Sequence, residues 1–381
     1  MRKMRNGRKA VISGFLVSMA VMSLGGCGKE EEVWNPIENN QIKIALIGSS
    51  EYIGQDILNG IETAKETVKK DYGHDLVVDV LDDEGDYKQG VTMATKVAED
   101  SSYVAALSEQ DFDIIDSVAG IFEQEEKPLI VMGGCYDNIN EKEYEYLLTD
   151  FLSAEVMGKM LGNYAVKQGY KSIAYCHTNT RFELDELNGV QQAVNNSDTQ
   201  ISITQLVSDT PENMTASFQN WDLLDVDALC VSVYDLQFCG NLVSVLRQSG
   251  SDIPVLTDYS INNEETIQTN GSYMDGIICA PLYPYNVSQE LKLFEEAFQE
   301  KYGHTPSSNA VQYYDMICML VQRLENGINS SGELMEAMKN GDVYKGISSD
   351  LKFDKNGRLA AENVQVLEFR NGEFLPIDEG Q

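Results

Sequence analysis

The sequence predicts an α/β protein built from doubly wound, mainly parallel sheets. Three observations predict it. Residues 42–70 read as one buried strand followed by one amphipathic helix. The same alternation then recurs down the chain, and it restarts after residue 151. About 340 residues follow residue 40, too many for one typical core, so two lobes are expected.

The first unit sets the pattern. Ile44, Ala45, Leu46 and Ile47 form a short unbroken apolar run, which reads as a strand buried on both faces. Gly48, Ser49 and Ser50 break it, and either serine is expected to cap the helix that follows. Ile53, Ile57, Ile61, Ala64 and Val68 then recur at three- and four-residue steps, a single apolar stripe. A neighbouring parallel strand must cover such a strand, and ligands in such sheets sit at the strands' carboxyl ends. That end is residues 48–52, beside a helix N-terminus whose free N–H groups favour anions.

Further strands are expected over residues 76–81, 103–107 and 128–132, with helical stripes at Val91, Ala94, Val97 and Ala98 and at Ile114, Ile115, Val118 and Ile121. Four strand exits then share one edge, at 49–52, 82–86, 108–110 and 133–136. The second block predicts helices over 154–169, 182–194, 214–224 and 236–248, and strands over 172–176, 201–206, 228–233, 255–256 and 276–280. Residues 281–285, PLYPY, make the clearest break. Two long amphipathic helices follow, over 291–302 and 310–325, with no strand between them, and they fit as extra cover for the first sheet. Residues 351–353 and 364–369 read as strands with tight turns at Asp354–Gly357 and Asn371-Gly372.

The chain start is not part of this fold. Arg2, Lys3, Arg5, Arg8 and Lys9 precede an apolar run over 11–24, too short to span a bilayer comfortably. The run ends in Leu24-Gly25-Gly26-Cys27, which resembles a bacterial lipoprotein signal over residues 1–26 with Cys27 as the acylated residue. Residues 27–40 read as an acidic tether. Losing a leader with five cations and no anion takes the formal charge from −33 to −38. Such a chain repels nucleic acid, and no basic stripe is present.

Catalytic and metal patterns are missing. Residues 48–54 are not GxGxxG and hold no P-loop lysine, no GxSxG or HExxH occurs, and His74, His177 and His304 lie far apart. The spacing at 82–86 does not match an EF-hand loop. Beyond Cys27 the six cysteines fit no metal spacing, no CxxC occurs, and Cys176, Cys230 and Cys279 fall in expected buried strands, while pairing stays open. No enzyme activity, metal or cofactor is expected. What recurs is aromatic residues at strand exits: Tyr52, Tyr136, Phe182, Tyr234 and Tyr259, with Tyr283 and Tyr285 at the break. Aromatics with a few polar groups suit small-molecule binding.

Several stretches carry a resemblance: YIGQDILNGIETAKETV (52–68), LDDEGDYKQGVTMATKVAED (81–100), GIFEQEEKPLIVMGG (120–134), FEEAFQEKYGHTPSSNAVQYYDMICML (294–320) and LKFDKNGRLAAENVQVLEFRNGEF (351–374). Taken in order, they resemble the type I periplasmic binding fold, in particular the leucine/isoleucine/valine-binding receptors of ABC transporters. The resemblance implies two lobes with three hinge crossovers, 41–151 with 284–343 and 152–283 with 344–381. It implies an extracytoplasmic monomer, lipid-anchored at Cys27 to the outer face of the membrane, that closes on an amino acid or similar small polar ligand and delivers it to an ABC permease. The same fold also serves as the sensing module of signalling systems, the alternative reading. By the same resemblance, Ser108 and the loop Gly133, Gly134 and Tyr136 would hold a ligand carboxylate. Phe182 and Tyr234 would supply aromatic walls and Asp258 would pair with an ammonium, while Tyr52 is a candidate from its place at the first strand exit alone. Glu109 departs from the family pattern, because an anion there repels a carboxylate. The pocket is therefore expected to prefer a cationic or aromatic ligand.

Overall fold

In the computed structural model the described residues are 34–50, 52–133, 137–207, 221, 224–233, 237–286, 288–360 and 364–377. Cys27 and the leader lie outside them, as do Gly134, Cys135, Tyr136, Tyr234 and most of the helix expected over 214–224. Elements are numbered in chain order.

β1 (Gln41–Gly48) carries the predicted apolar run, and Ile44, Ala45, Leu46 and Ile47 are all fully buried. It lies between β2 (Asp75–Asp82) and β3 (Ala105–Glu109), parallel to both. β4 (Leu129–Val131) and β5 (Leu147–Thr149) complete a five-stranded parallel sheet of order β2-β1-β3-β4-β5. Strand alternation divides its side chains. Ile44, Leu46, Leu107 and Ile130 face one core with α1 (Gln55–Tyr72), while Ala45, Ile47, Ala106 and Val131 face another with α2 (Tyr87–Glu99) and α3 (Phe112–Gln124).

The expected serine cap on α1 is not used. The Ser49 carbonyl accepts the Tyr52 and Ile53 N–H groups, the Ser50 N–H donates to Asp82 Oδ1, and Gly54 caps the helix without a side-chain bond. The serines are spent on a turn that lifts the chain off the strand end.

The second sheet has order β14-β13-β10-β9-β8-β6-β7. Its parallel part is β6 (Ser172–His177), β7 (Gln200–Leu206), β8 (Ala228–Ser232), β9 (Val255–Thr257) and β10 (Ile278–Cys279). β13 (Leu367–Arg370) and β14 (Glu373–Pro376) add an antiparallel hairpin turned at Asn371-Gly372, both at positive φ as the sequence pair predicts. α4 (Ala154–Gln168) and α5 (Arg181–Val194) cover one face. α6 (Phe238–Gln248) covers the other, and the short α7 (Glu264–Asn270) packs beside it. The buried cysteines Cys176, Cys230, Cys239, Cys279 and Cys318 are free and fill the core as small apolar residues.

α4 and α5 meet through their backbones. A Cβ at Gly158 would stand 2.0 Å from the Glu186 carbonyl oxygen, and one at Gly189 would stand 2.1 Å from that of Glu155. Only glycine permits that approach.

The late helices α8 (Gln289–Tyr302), α9 (Ser308–Leu324) and α10 (Ser331–Asn340) return to the first sheet, as expected for the first two. Phe298, Val311, Met316, Leu320 and Leu334 share one core with Ile44, Leu46, Ile57 and Ile61. The hairpin of β11 (Tyr344–Lys345) and β12 (Asp350–Leu351) joins them. Tyr344, Leu351, Phe353 and Leu359 are buried in that same core, and the Thr149 N–H donates to the Gly357 carbonyl while the Leu359 N–H donates back to Thr149. Residues 344–360 therefore pack against the first sheet, where the expected division had assigned them to the second lobe.

The chain passes between the sheets near 150–153 and 280–286, and again between residues 360 and 364. These segments are tied together by the Leu152 N–H to the Leu282 carbonyl at 2.7 Å and the Gln365 N–H to Asn286 Oδ1 at 3.0 Å, and Ser348 Oγ of the first-sheet hairpin also donates to the Pro284 carbonyl at 2.7 Å. At this junction Tyr283 donates to Asp315 Oδ2 at 3.3 Å, and the Ile347 N–H donates to Asp315 Oδ1 at 3.0 Å. Asp150, fully buried, has no partner for either carboxyl oxygen. Burial, with Asp315 close by, pushes the Asp150 carboxyl well above its ordinary range, and burial raises Asp315 to about 7.

Candidate functional site

The predicted site residues separate by strand alternation. On β3, Ser108 and Glu109 point to opposite faces of the sheet. Ser108 is fully buried and donates to Gln110 Oε1 at 3.2 Å, and Gln110 Nε2 donates to Asp83 Oδ2 at 2.8 Å. Its hydroxyl is thus engaged within the first lobe.

Glu109 turns to the α1/α9 face. Tyr313 Oη donates to Glu109 Oε2 at 2.7 Å, and a Cβ on Gly133 would meet Glu109 Oε1 at 2.7 Å. Gly133 therefore makes the space that the carboxyl occupies. Desolvation raises Glu109 to about 7, against the opposing pull of the Tyr313 hydrogen bond. Near neutral pH this carboxyl is about half protonated, so its repulsion of an anionic ligand is weaker than the sequence implies.

That shift has a measurable sign. The folded pKa lies above the ordinary 4.5, so the stability it confers is complete below about 4.5 and is lost as pH climbs through about 7. Glu109→Gln is expected to leave stability nearly unchanged at pH 4 and to raise it by about 3 kcal/mol at pH 8. Denaturant unfolding at the two pH values checks this, and an equal effect at both would contradict it.

Tyr52 is 43% exposed at the first strand exit. Tyr283 and Tyr285 are buried and bonded to Asp315 and Glu295, so they serve the lobe junction. Gly134, Tyr136 and Tyr234 lie outside the described residues.

The second lobe concentrates its polar groups. Parallel registers pair Tyr175 with Cys230 and with Leu256 beyond it, and His177 with Ser232. One residue past β9, Asp258 continues that row, so His177, Ser232 and Asp258 share the α4/α5 face at the strands' carboxyl ends. α5 brings Glu183 and Glu186 to it. Thr180 and Glu183 form a capping box at the start of α5, and Glu183 also accepts from the Thr178 N–H and hydroxyl, at 2.7 and 2.6 Å. Glu183 is therefore engaged by its own loop.

Glu186 is not. It is fully buried, and neither carboxyl oxygen has a partner. Ser232 stands beside it, also fully buried and with its Oγ unpartnered. Asp258 accepts from the Ser260 N–H through Oδ1 at 2.7 Å, while its Oδ2 is unpartnered, as is His177 Nδ1. Burial raises Asp258 to about 6, and burial with the neighbouring Asp258 charge pushes Glu186 well up. Each orphaned buried polar group costs about 1–3 kcal/mol. Next to Asp258 in the chain, Tyr259 meets Phe182 edge to face, ring centroids 6.2 Å apart.

Sequence reasoning named Phe182, Tyr259 and Asp258 and did not name Glu186 or Ser232. A signal for Glu186 was present. Phe182, Val190 and Val194 mark the buried stripe of α5, and Glu186 occupies the vacant step between them.

A cavity of about 700 Å³ lies elsewhere between the lobes, lined by residues 54–56, 304–308 and 373–375 with Tyr285, and it holds none of the predicted site residues. No group of three or more His, Cys, Asp or Glu among the described residues is arranged to hold a metal. No described helix is long and apolar enough to cross a membrane.

Solved structures share this fold. An ABC transporter substrate-binding protein from Desulfitobacterium hafniense, in complex with Leu, is 16% identical with a TM-score of 0.78, over 88% of this chain and 100% of that one. The branched-chain amino acid transporter substrate-binding protein LivJ of Streptococcus pneumoniae, in complex with isoleucine, is 19% identical with a TM-score of 0.71, over 88% and 100%. A solute-binding protein of an ABC transporter from Rhodopseudomonas palustris BisB5, in complex with 3,4-dihydroxy benzoic acid, is 20% identical with a TM-score of 0.73, over 89% and 96%. No curated protein matches the chain. Residues 41–373 match the periplasmic binding protein family from end to end of the two-lobed body, and the chain belongs to that family.

Proposed function

We propose that the chain is the extracytoplasmic receptor of an ABC transporter. It captures an amino acid or related small polar solute between its lobes and delivers it to the permease, held at the membrane by lipid on Cys27. It acts as a monomeric binding protein and not as a catalyst. The observation that supports this most is Asp258. It is a fully buried carboxyl with one open oxygen, at a strand's carboxyl end and with Tyr259 of the aromatic pair next to it in the chain. That is where an ammonium group finds both charge and shelter.

The structures holding leucine, isoleucine and an aromatic acid support a small organic solute. For the lobes, we place 41–151 with 284–360 in the first and 152–283 with the remainder in the second. Closure is then a hinge motion about the three tied crossings, driven by better ligand contacts in the closed state.

Thermal unfolding of the purified chain against a panel of amino acids, amines and aromatic acids tests the reading. A cognate solute at a hundredfold its dissociation constant is expected to add about 2.7 kcal/mol of stability. A panel without any shift would overturn it. A ligand whose uptake by cells does not depend on the chain would move the reading to a sensing module.

A further inference from the structure

We infer that Glu186, with Asp258 and Ser232, forms an inner acidic subsite in the second lobe that receives a protonated amine or guanidinium of the solute. This rests on the receptor reading and specifies the ligand within it.

No hydrogen bond of normal length reaches either oxygen of Glu186, Oδ2 of Asp258 or Oγ of Ser232, and the Ser232 hydroxyl stands beside the Glu186 carboxyl. All three residues are fully buried. They come from three separate elements, α5, β8 and the exit of β9, so no single local motif accounts for them. Glu183, the third acid nearby, is taken up by residues 178 and 180. Glu186 is not, and it adds an acid beyond the single carboxylate that an α-ammonium needs.

The occupant must carry N–H donors and positive charge. A metal ion does not fit, since no described group of three metal-binding side chains forms. An ammonium offers three donors and a guanidinium five, in arrays that match two carboxylates and a hydroxyl. Phe182, near the start of α5, and Tyr259, next to Asp258 in the chain, meet edge to face, and aromatic faces attract such cations. The backbone contact between Gly158 and Glu186 holds this part of α5 in place.

The test is calorimetric titration of the full chain and of Glu186→Gln with arginine, agmatine and putrescine, set against leucine and benzoate. At least one cationic probe is expected to bind the wild-type chain and to lose tenfold or more in affinity in the variant, while any binding of leucine or benzoate stays within twofold. Wild-type binding of that cation at pH 7 is also expected to release protons, read as a dependence of apparent enthalpy on the buffer. This second readout needs no variant and serves if Glu186→Gln fails to fold. Leucine or benzoate binding with no cationic probe bound would overturn the inference and leave the receptor reading standing. So would cation binding indifferent to the variant, or without proton release. Binding by none of the five would overturn both.

Discussion

Asp150→Asn should stabilise the protein at pH 8 and do little at pH 3. Asp150 sits on the first crossing with both carboxyl oxygens unpartnered, facing Asp315, which is itself bonded by Tyr283 and the Ile347 N–H. Both carboxyls are raised, so the stability they confer is complete below the ordinary range near 4 and is lost as pH climbs through the folded values. Asparagine keeps the volume, removes the charge and can donate to Asp315. A gain on the order of 1–3 kcal/mol, the cost of an unpartnered buried polar group, is expected at pH 8 and shrinks towards zero at pH 3. Urea unfolding at both pH values reads it. A loss of stability at pH 8 would mean that the Asp150 charge is compensated in the folded protein.

The second large effect is a destabilisation. Gly158→Ala puts a methyl 2.0 Å from the Glu186 carbonyl oxygen, and the obstacle is backbone, which no side-chain rotation can clear. α4 and α5 must move apart, loosening the packing of Met157, Leu161, Ala165 and Val190. A cost of about 3 kcal/mol or more is expected, at the upper end for overpacking. Gly120→Ala in α3 is the control. Its Cβ would meet only Tyr144 Oη at 3.7 Å, so the helix should gain about 0.5–1 kcal/mol. Equal effects of the two would show that the α4–α5 contact is soft.

The strands and helices of both sheets were legible because each buries a face with its own period. Ile44–Ile47 is a run without polar breaks, and Ile53, Ile57 and Ile61 keep helical steps. β5 escaped because three residues carry no period. α10 escaped although Ser330 accepts from the Glu333 N–H, a cap whose S-x-x-E signature stands in the sequence. Residues 344–360 were assigned by analogy, and their docking on β5 depends on long-range pairing that local patterns do not record. At the site, Phe182 and Asp258 lie at strand or helix ends and could be placed. Glu186 was passed over although it stands on the buried stripe of α5, because an acid on a helix in a chain with 61 acids reads as solvated surface. Ser108 and Glu109 were adjacent in the sequence and treated together, yet strand alternation sends them to opposite sides.

The return of the late helices also governs the order of folding. α1 packs against α9, so residues near 60 find their partners only near 315, and the first sheet cannot bury one face until most of the chain has been made. The second sheet likewise gains β13 and β14 from the last described residues. Contacts of such sequence separation close slowly. A chain emerging N-terminus first would therefore stay open until its synthesis is nearly finished, a state that an export channel for unfolded polypeptides can accept.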